Sequence, residues 1–144
     1  MIRVTRAYRF SASHRLHTDA LGEEENYQLY GKCNNPFGHG HNYEVQVSAR
    51  GPLDPRTGRA VDLGALDALV ESEVLRPFDC RDLNTEVEAF RRRVPTSENL
   101  VREICRRLKR SWSGAFPKGG PALEKIRIME TRRNIFEVFA HEID

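Results

Sequence analysis

The sequence predicts an α+β domain: a four-stranded antiparallel sheet with two helices on one face, in the order strand, strand, helix, helix, strand, strand. Two observations carry this expectation. Apolar and polar residues alternate with a period of two in four segments, residues 2–14, 39–50, 123–131 and 135–141, as half-buried strands require. Two intervening segments, near 62–76 and 96–113, instead space their apolar residues three and four apart, the period of an amphipathic helix. No internal repeat, linker or low-complexity tract divides the 144 residues. Residues 1–144 therefore read as one domain, within the usual ~100–200 residues.

In the first strand Ile2, Val4, Tyr8, Phe10, Ala12 and His14 share a face, interrupted by Arg6. Residues 15–38 lose periodicity. They hold the acidic run Glu23-Glu24-Glu25 and the turn formers Asn34-Asn35-Pro36 and Gly38, and read as a long loop of a size that usually carries function. The second strand places His39, His41, Tyr43, Val45, Val47 and Ala49 on one face and ends at Gly51-Pro52, ahead of a turn at Asp54–Arg59. Asp62 is positioned to cap a helix with Leu63, Leu66, Leu69, Val70 and Val74 on its apolar side, and Pro77 is expected to stop it. Thr96 or Ser97 caps the second helix. Its stripe is Leu100, Val101, Ile104 and Leu108, its water-facing side Arg102, Arg106, Arg107, Lys109 and Arg110, and its end lies at Gly114 and the run Pro117–Pro121. The last two strands are joined by the short loop Arg132-Arg133-Asn134.

Composition narrows the function classes. With 23 basic against 21 acidic residues the net charge is +2, which does not suggest a nucleic-acid binder. No apolar run approaches the ~18 residues of a membrane-spanning helix. The N-terminal segment lacks the apolar core of a signal peptide, so a cytoplasmic location is expected. Cys33, Cys80 and Cys105 have irregular spacing and no Cys-x-x-Cys pair, and read as free thiols. Cys105, on a helix face, is read as inert.

Four of the five histidines fall within residues 14–41. His39 and His41 are two apart on a predicted strand and project from one face. If the first two strands pair antiparallel, His14 lies beside them. Three neutral imidazoles converging on a point are the ligand set of a catalytic Zn2+ site with a fourth position open. His17 and His141 read as less engaged. Cys33, six residues before His39, is either a fourth ligand or a base beside the metal, where the ion and Lys32 favour the thiolate. Glu130 follows Ile126 and Ile128 on an apolar face. A charge there calls for a ligand with donors or an Arg partner.

The runs Phe10-Ser11-Ala12-Ser13-His14-Arg15-Leu16-His17 and Tyr30-Gly31-Lys32-Cys33-Asn34-Asn35-Pro36-Phe37-Gly38-His39-Gly40-His41-Asn42-Tyr43 resemble the 6-pyruvoyltetrahydropterin synthase family, which includes the 6-carboxytetrahydropterin synthases of queuosine biosynthesis. The resemblance extends through Asp54-Pro55-Arg56-Thr57-Gly58, Val61-Asp62-Leu63, Asp79-Cys80-Arg81-Asp82-Leu83-Asn84, Pro95-Thr96-Ser97-Glu98-Asn99 and Glu130-Thr131. It implies a tunnelling fold, in which subunits join their sheets into trimers and two trimers stack as a hexamer. It implies 7,8-dihydroneopterin triphosphate as substrate, with triphosphate eliminated and tetrahydrobiopterin chemistry downstream. By position it makes His14, His39 and His41 the zinc ligands and Cys33 the proton-abstracting base. Glu130 becomes the pterin anchor, with Thr96, Ser97 and Glu98 lining the pterin pocket. The Asn34–His41 form resembles the pyruvoyl branch more than the carboxy branch.

One position departs from the pattern. Where the family has Asp-His as a proton relay, this chain has Asp79-Cys80. An ordinary thiol titrates about two units above an imidazole. Four readings stay open: Cys80 itself moves the proton, His17 or His141 replaces the lost imidazole, the chain is a paralogue with a different reaction, or it binds pterins without turning them over.

Overall fold

The computed structural model describes residues 1–144 as an α+β fold. Strand β1 (Ile2–His14) is followed by helix α1 (Glu23–Tyr30) and a 3-10 turn (Gly31–Asn34), then β2 (His39–Gly51). Helix α2 (Leu63–Val70) runs through a π-helical turn (Glu71–Leu75) into α3 (Arg76–Phe78), and then come β3 (Arg81–Asp82) and α4 (Leu83–Glu86). Helix α5 (Ser97–Ala115) and the strands β4 (Ala122–Met129) and β5 (Ile135–Phe139) complete the fold.

The sheet is five-stranded, in the order β3-β1-β2-β4-β5. Four strands are the expected antiparallel ones. The fifth, β3, adds a two-residue parallel pairing to the edge of β1, Ala12↔Arg81 and Ser13↔Asp82, so the sheet is mixed. A strand this short carries no periodicity, and only its pairing partner reveals it. Phe10, Tyr43, Val45 and Val47 on one face of the sheet pack with Leu66 and Val70 of α2 and Leu100, Ile104 and Leu108 of α5 into one core. The other face is polar, with Arg9, Glu44, Gln46 and Arg127 along it.

Both expected caps are present. Asp62 Oδ1 accepts the Ala65 N–H at 3.1 Å, and Thr96 Oγ1 accepts the Asn99 N–H at 3.2 Å. Pro77 does not stop the first helix but lies in the first turn of α3. The π-helical turn before it widens the hydrogen-bond ladder ahead of a residue with no N–H. The basic side of α5 is also drier than expected. Arg106 and Arg107 bond Glu103 at 3.0 and 2.9 Å, and Lys109 donates to the carbonyls of Ala140 and Ile143. Cys105 is fully buried, and burial pushes its thiol up to about 11.

Helix α1 replaces the middle of the expected loop. Its first turn is the acidic run Glu23–Glu25, which the positive end of the helix dipole favours, and Gly31 ends it with φ +56°, in the left-handed region glycine adopts freely. Tyr27 and Leu29 are exposed, so no apolar stripe announces the helix. The fully buried Asn26 side chain holds it: Oδ1 accepts the Thr18 N–H at 2.9 Å, and Nδ2 donates toward the carbonyls of Thr18, Leu21 and Gly22. Asn26→Ala is therefore expected to cost ~1–3 kcal/mol by leaving buried backbone groups unpaired. Chemical denaturation gives the magnitude, and hydrogen exchange should place the loss in residues 16–34.

Candidate metal centre

The β1–β2 ladder pairs His14 directly with His39, and Ala12 with His41. All three imidazoles leave the core face at the same end of the sheet. The 3-10 turn brings Cys33 beneath them, and the residue after β4 brings Glu130. One donor atom each from His14, Cys33, His41 and Glu130 lies within 4.8 Å of every other. His39 joins through His41, its Nδ1 standing 3.3 Å from His41 Nε2. His39 itself is exposed at the rim.

The hydrogen bonding is what a cation would complete. His41 Nε2 faces Cys33 Sγ at 3.6 Å, Glu130 Oε1 at 3.1 Å and His39 Nδ1 at 3.3 Å. One ring nitrogen offers a single proton or a single lone pair, so it cannot satisfy three such neighbours. His14 is fully buried, and its Nδ1 stands 2.9 Å from the Pro95 carbonyl and 3.3 Å from Tyr43 Oη. Since a carbonyl only accepts, Nδ1 carries the proton and Nε2 presents a bare lone pair. That Nε2 is the buried side-chain polar atom without a hydrogen-bond partner. A histidine oriented by a carbonyl on one nitrogen and free on the other is how protein metal ligands are held. The residues therefore fit a divalent cation. Pro95 and Tyr43 were not singled out by the sequence, because a main-chain carbonyl leaves no residue-type signal and Tyr43 reads there as core.

Burial lowers the His14 pKa, against the opposing bond to Pro95, and lowers His41 against the opposing charge of Glu130. Burial also raises the Cys33 thiol, and the Glu130 charge raises it further. The chain by itself thus holds neutral imidazoles and a protonated thiol.

The remaining sequence-selected residues divide. Ser97 Oγ donates to Glu130 Oε2 at 3.0 Å, fixing the carboxylate. The Thr96 hydroxyl is used as the cap of α5, and Glu98 is exposed with no contact to the cluster. Asp79 Oδ1 accepts the Ser11 N–H at 2.9 Å, and the Cys80 N–H donates to the Ser11 carbonyl at 2.6 Å. Cys80 is exposed at φ +57°, the one non-glycine residue with a left-handed backbone, in a cleft of about 340 Å3 that reaches His41 and is lined on its polar side by Ser11, Ser13 and Asn42. Those three residues alternate with Ala12, His14 and His41 and leave the opposite face of the sheet. Within one chain Cys80 does not join Cys33. His141 lies with Met1 and Arg50 at the far end of β1, a strand length of roughly 40 Å away. His17 lies close by, in a cleft that His39 also lines.

Comparison with known proteins shows what this chain is similar to. The family model described as 6-pyruvoyl tetrahydropterin synthase matches residues 3–141. The 6-pyruvoyl tetrahydrobiopterin synthases of Poecilia reticulata and Homo sapiens are each 42% identical over 132 residues, covering 92% of this chain and 86% and 87% of theirs. The structure of Caenorhabditis elegans 6-pyruvoyl tetrahydropterin synthase superposes with a TM-score of 0.84 at 39% identity, over 96% of this chain and 94% of that one.

Two outcomes follow from the geometry. A divalent cation at one hundred times its dissociation constant is expected to raise stability by ~2.7 kcal/mol, read as a shift of the denaturation midpoint, and His14→Ala or His41→Ala should remove the shift. In chelator, the unfolded chain takes up protons near 6.5 before the depressed His14 and His41 do, so stability rises with pH across that window. The midpoint is expected to fall between about pH 7.5 and about pH 5.5. A constant midpoint would speak against neutral, buried imidazoles.

Proposed function

This chain belongs to the 6-pyruvoyl tetrahydropterin synthase family, and we propose on that premise that it converts 7,8-dihydroneopterin triphosphate into 6-pyruvoyltetrahydropterin with elimination of triphosphate. The observation that carries this reading is the meeting of imidazole, thiol and carboxylate donors within 4.8 Å: a group to take a proton, one to anchor a donor-rich ring, and ligands for a cation. The 42% identical relatives carry the pyruvoyl name, so the carboxy product is not adopted.

We assign the roles as follows. His14, His39 and His41 would hold a Zn2+ ion. Borderline-soft zinc suits a site of imidazoles with a thiol alongside. A bound ion would supply Lewis acidity toward the side-chain oxygens of the substrate and favour the thiolate of the neighbouring Cys33. Cys33 takes the proton from the side-chain carbon. Its Sγ, 3.6 Å from His41 Nε2, stands against the ligand set rather than outside it. Glu130, held by the Ser97 hydroxyl, accepts from the amino group and ring N–H of the pterin. Thr96 and Glu98, at the start of α5, are assigned to the border of that pocket. The electrons stay within the substrate: the side chain is oxidised as the ring is reduced, and the C–O pair leaves with triphosphate. No external electron carrier takes part.

Asp79 and Cys80 supply the second proton group. The exposure of Cys80 beside Ser11, Ser13 and Asn42, apart from Cys33, supports a site shared between copies, in which Cys80 of one chain faces Cys33 of another. That is the reason for proposing a homo-oligomer, a hexamer built as a dimer of trimers. No helix of the fold is long and apolar enough to cross a membrane, and a cytoplasmic site of action is proposed.

The test is mass spectrometry of the product from 7,8-dihydroneopterin triphosphate with zinc-loaded protein. Formation of 6-pyruvoyltetrahydropterin and inorganic triphosphate is expected, and recovery of unchanged substrate would count against the reading. Cys33→Ala should lose turnover while elemental analysis still finds zinc. Glu130→Gln should weaken pterin binding about tenfold or more through a mispaired donor. Cys80→His should raise the rate near neutral pH, because an imidazole there can be oriented by the Asp79 carboxylate.

A further inference from the structure

His39 lines, besides the metal centre, a second cleft of about 690 Å3 whose walls carry Arg15, His17, Lys32, Asn34 and Glu23. Arg15 and Lys32 take part in none of the ion pairs of the fold. Glu23 is the one carboxylate on the wall, so two cations face one anion there.

Arg15 is held in place from behind. Its N–H donates to Asn84 Oδ1 at 2.7 Å, and its carbonyl accepts from Asn84 Nδ2 at 2.9 Å. Its Nε donates to the Asn34 carbonyl at 3.2 Å, which leaves the terminal guanidinium nitrogens for a ligand. The buried Asn34 amide sets the adjacent histidine. Its Nδ2 donates to the Leu16 carbonyl at 2.8 Å and stands 3.1 Å from His17 Nδ1. An amide nitrogen only donates, so His17 Nδ1 accepts and the ring proton sits on Nε2. The nearest carboxylate to that Nε2 is Asp19 at 3.6 Å, on a fully exposed side chain. The cleft therefore presents an ammonium, a guanidinium and an imidazole N–H, the donors that recognise phosphate oxygens.

We propose that this cleft is the subsite for the triphosphate tail of the substrate, with Lys32, Arg15 and His17 Nε2 as its donors. The inference rests on the function proposed above and extends it. His39 belongs to both sites, so a ligand can run from the donor cluster into the cleft without leaving the protein surface. These donors meet the tail in the bound substrate, so their loss should raise KM.

The experiment is calorimetric titration of zinc-loaded protein with inorganic tripolyphosphate and, separately, with 7,8-dihydroneopterin, which has no phosphate. Lys32 is exposed, so its replacement leaves the fold intact. Tripolyphosphate affinity is expected to fall about tenfold or more in Lys32→Glu and several-fold in His17→Phe, as loss of charged and neutral hydrogen bonds respectively would give. Dihydroneopterin affinity should be unchanged in both variants. Equal tripolyphosphate affinity in wild type and Lys32→Glu overturns the subsite, as does a heat of binding accounted for by zinc lost from the same samples. Failure of dihydroneopterin to bind the wild type overturns the parent reading instead, and the tripolyphosphate titration still decides the cleft.

Discussion

The ladder between β1 and β2 runs unbroken from Ile2↔Gly51 to His14↔His39, and the donor cluster depends on that register. Side chains alternate with a period of two, so a slip of one residue would turn every imidazole to the opposite face. Burial prevents the slip. Phe10 stacks on Tyr43 at 5.1 Å between ring centroids, and both lie in the core. The apolar half of the ladder thus holds the polar half in place, and the histidines need no contribution of their own to remain aligned.

What the ladder aligns, the second layer tunes. The Pro95 carbonyl fixes the tautomer of His14, and Ser97, two residues later, fixes the Glu130 carboxylate. Both lie where the chain enters α5, whose cap is Thr96. One helix start therefore orients a ligand on β1 and an acceptor beyond β4. A buried lone pair such as that of His14 Nε2 costs ~1–3 kcal/mol when nothing meets it. The fold tolerates it at the end of the sheet, away from the central packing of Val45, Val47, Ile126 and Ile128.

The sheet has two different faces, and the thiols divide between them. Cys33 stands on the helix-covered side with the imidazoles, and Cys105 is inert within the core. Cys80 opens on the polar side, its backbone bent into the left-handed region and secured by Ser11. Left-handed backbone is costly for a residue with a side chain. The Asp79–Ser11 and Cys80–Ser11 bonds and the short β3 pairing supply the restraint that holds it.

The sequence alone determined whatever rests on periodicity and local capping. The four long strands, the cap Asp62 and a second cap at Thr96 or Ser97, the shared face of His14, His39 and His41, and the odd carboxylate at Glu130 all follow from spacing, because period and cap chemistry act over a few residues. Tertiary structure decided the rest. Helix α1 carries no apolar stripe and stands on the buried amide of Asn26, whose partners Thr18, Leu21 and Gly22 are contacts only a folded chain makes. Strand β3 exists because β1 offers it an edge. Pro77 continues a helix because a π-helical turn precedes it. The bare nitrogen of His14 is set by a carbonyl 81 positions along the chain, and a main-chain carbonyl is the same in every residue, so no residue type could have announced it.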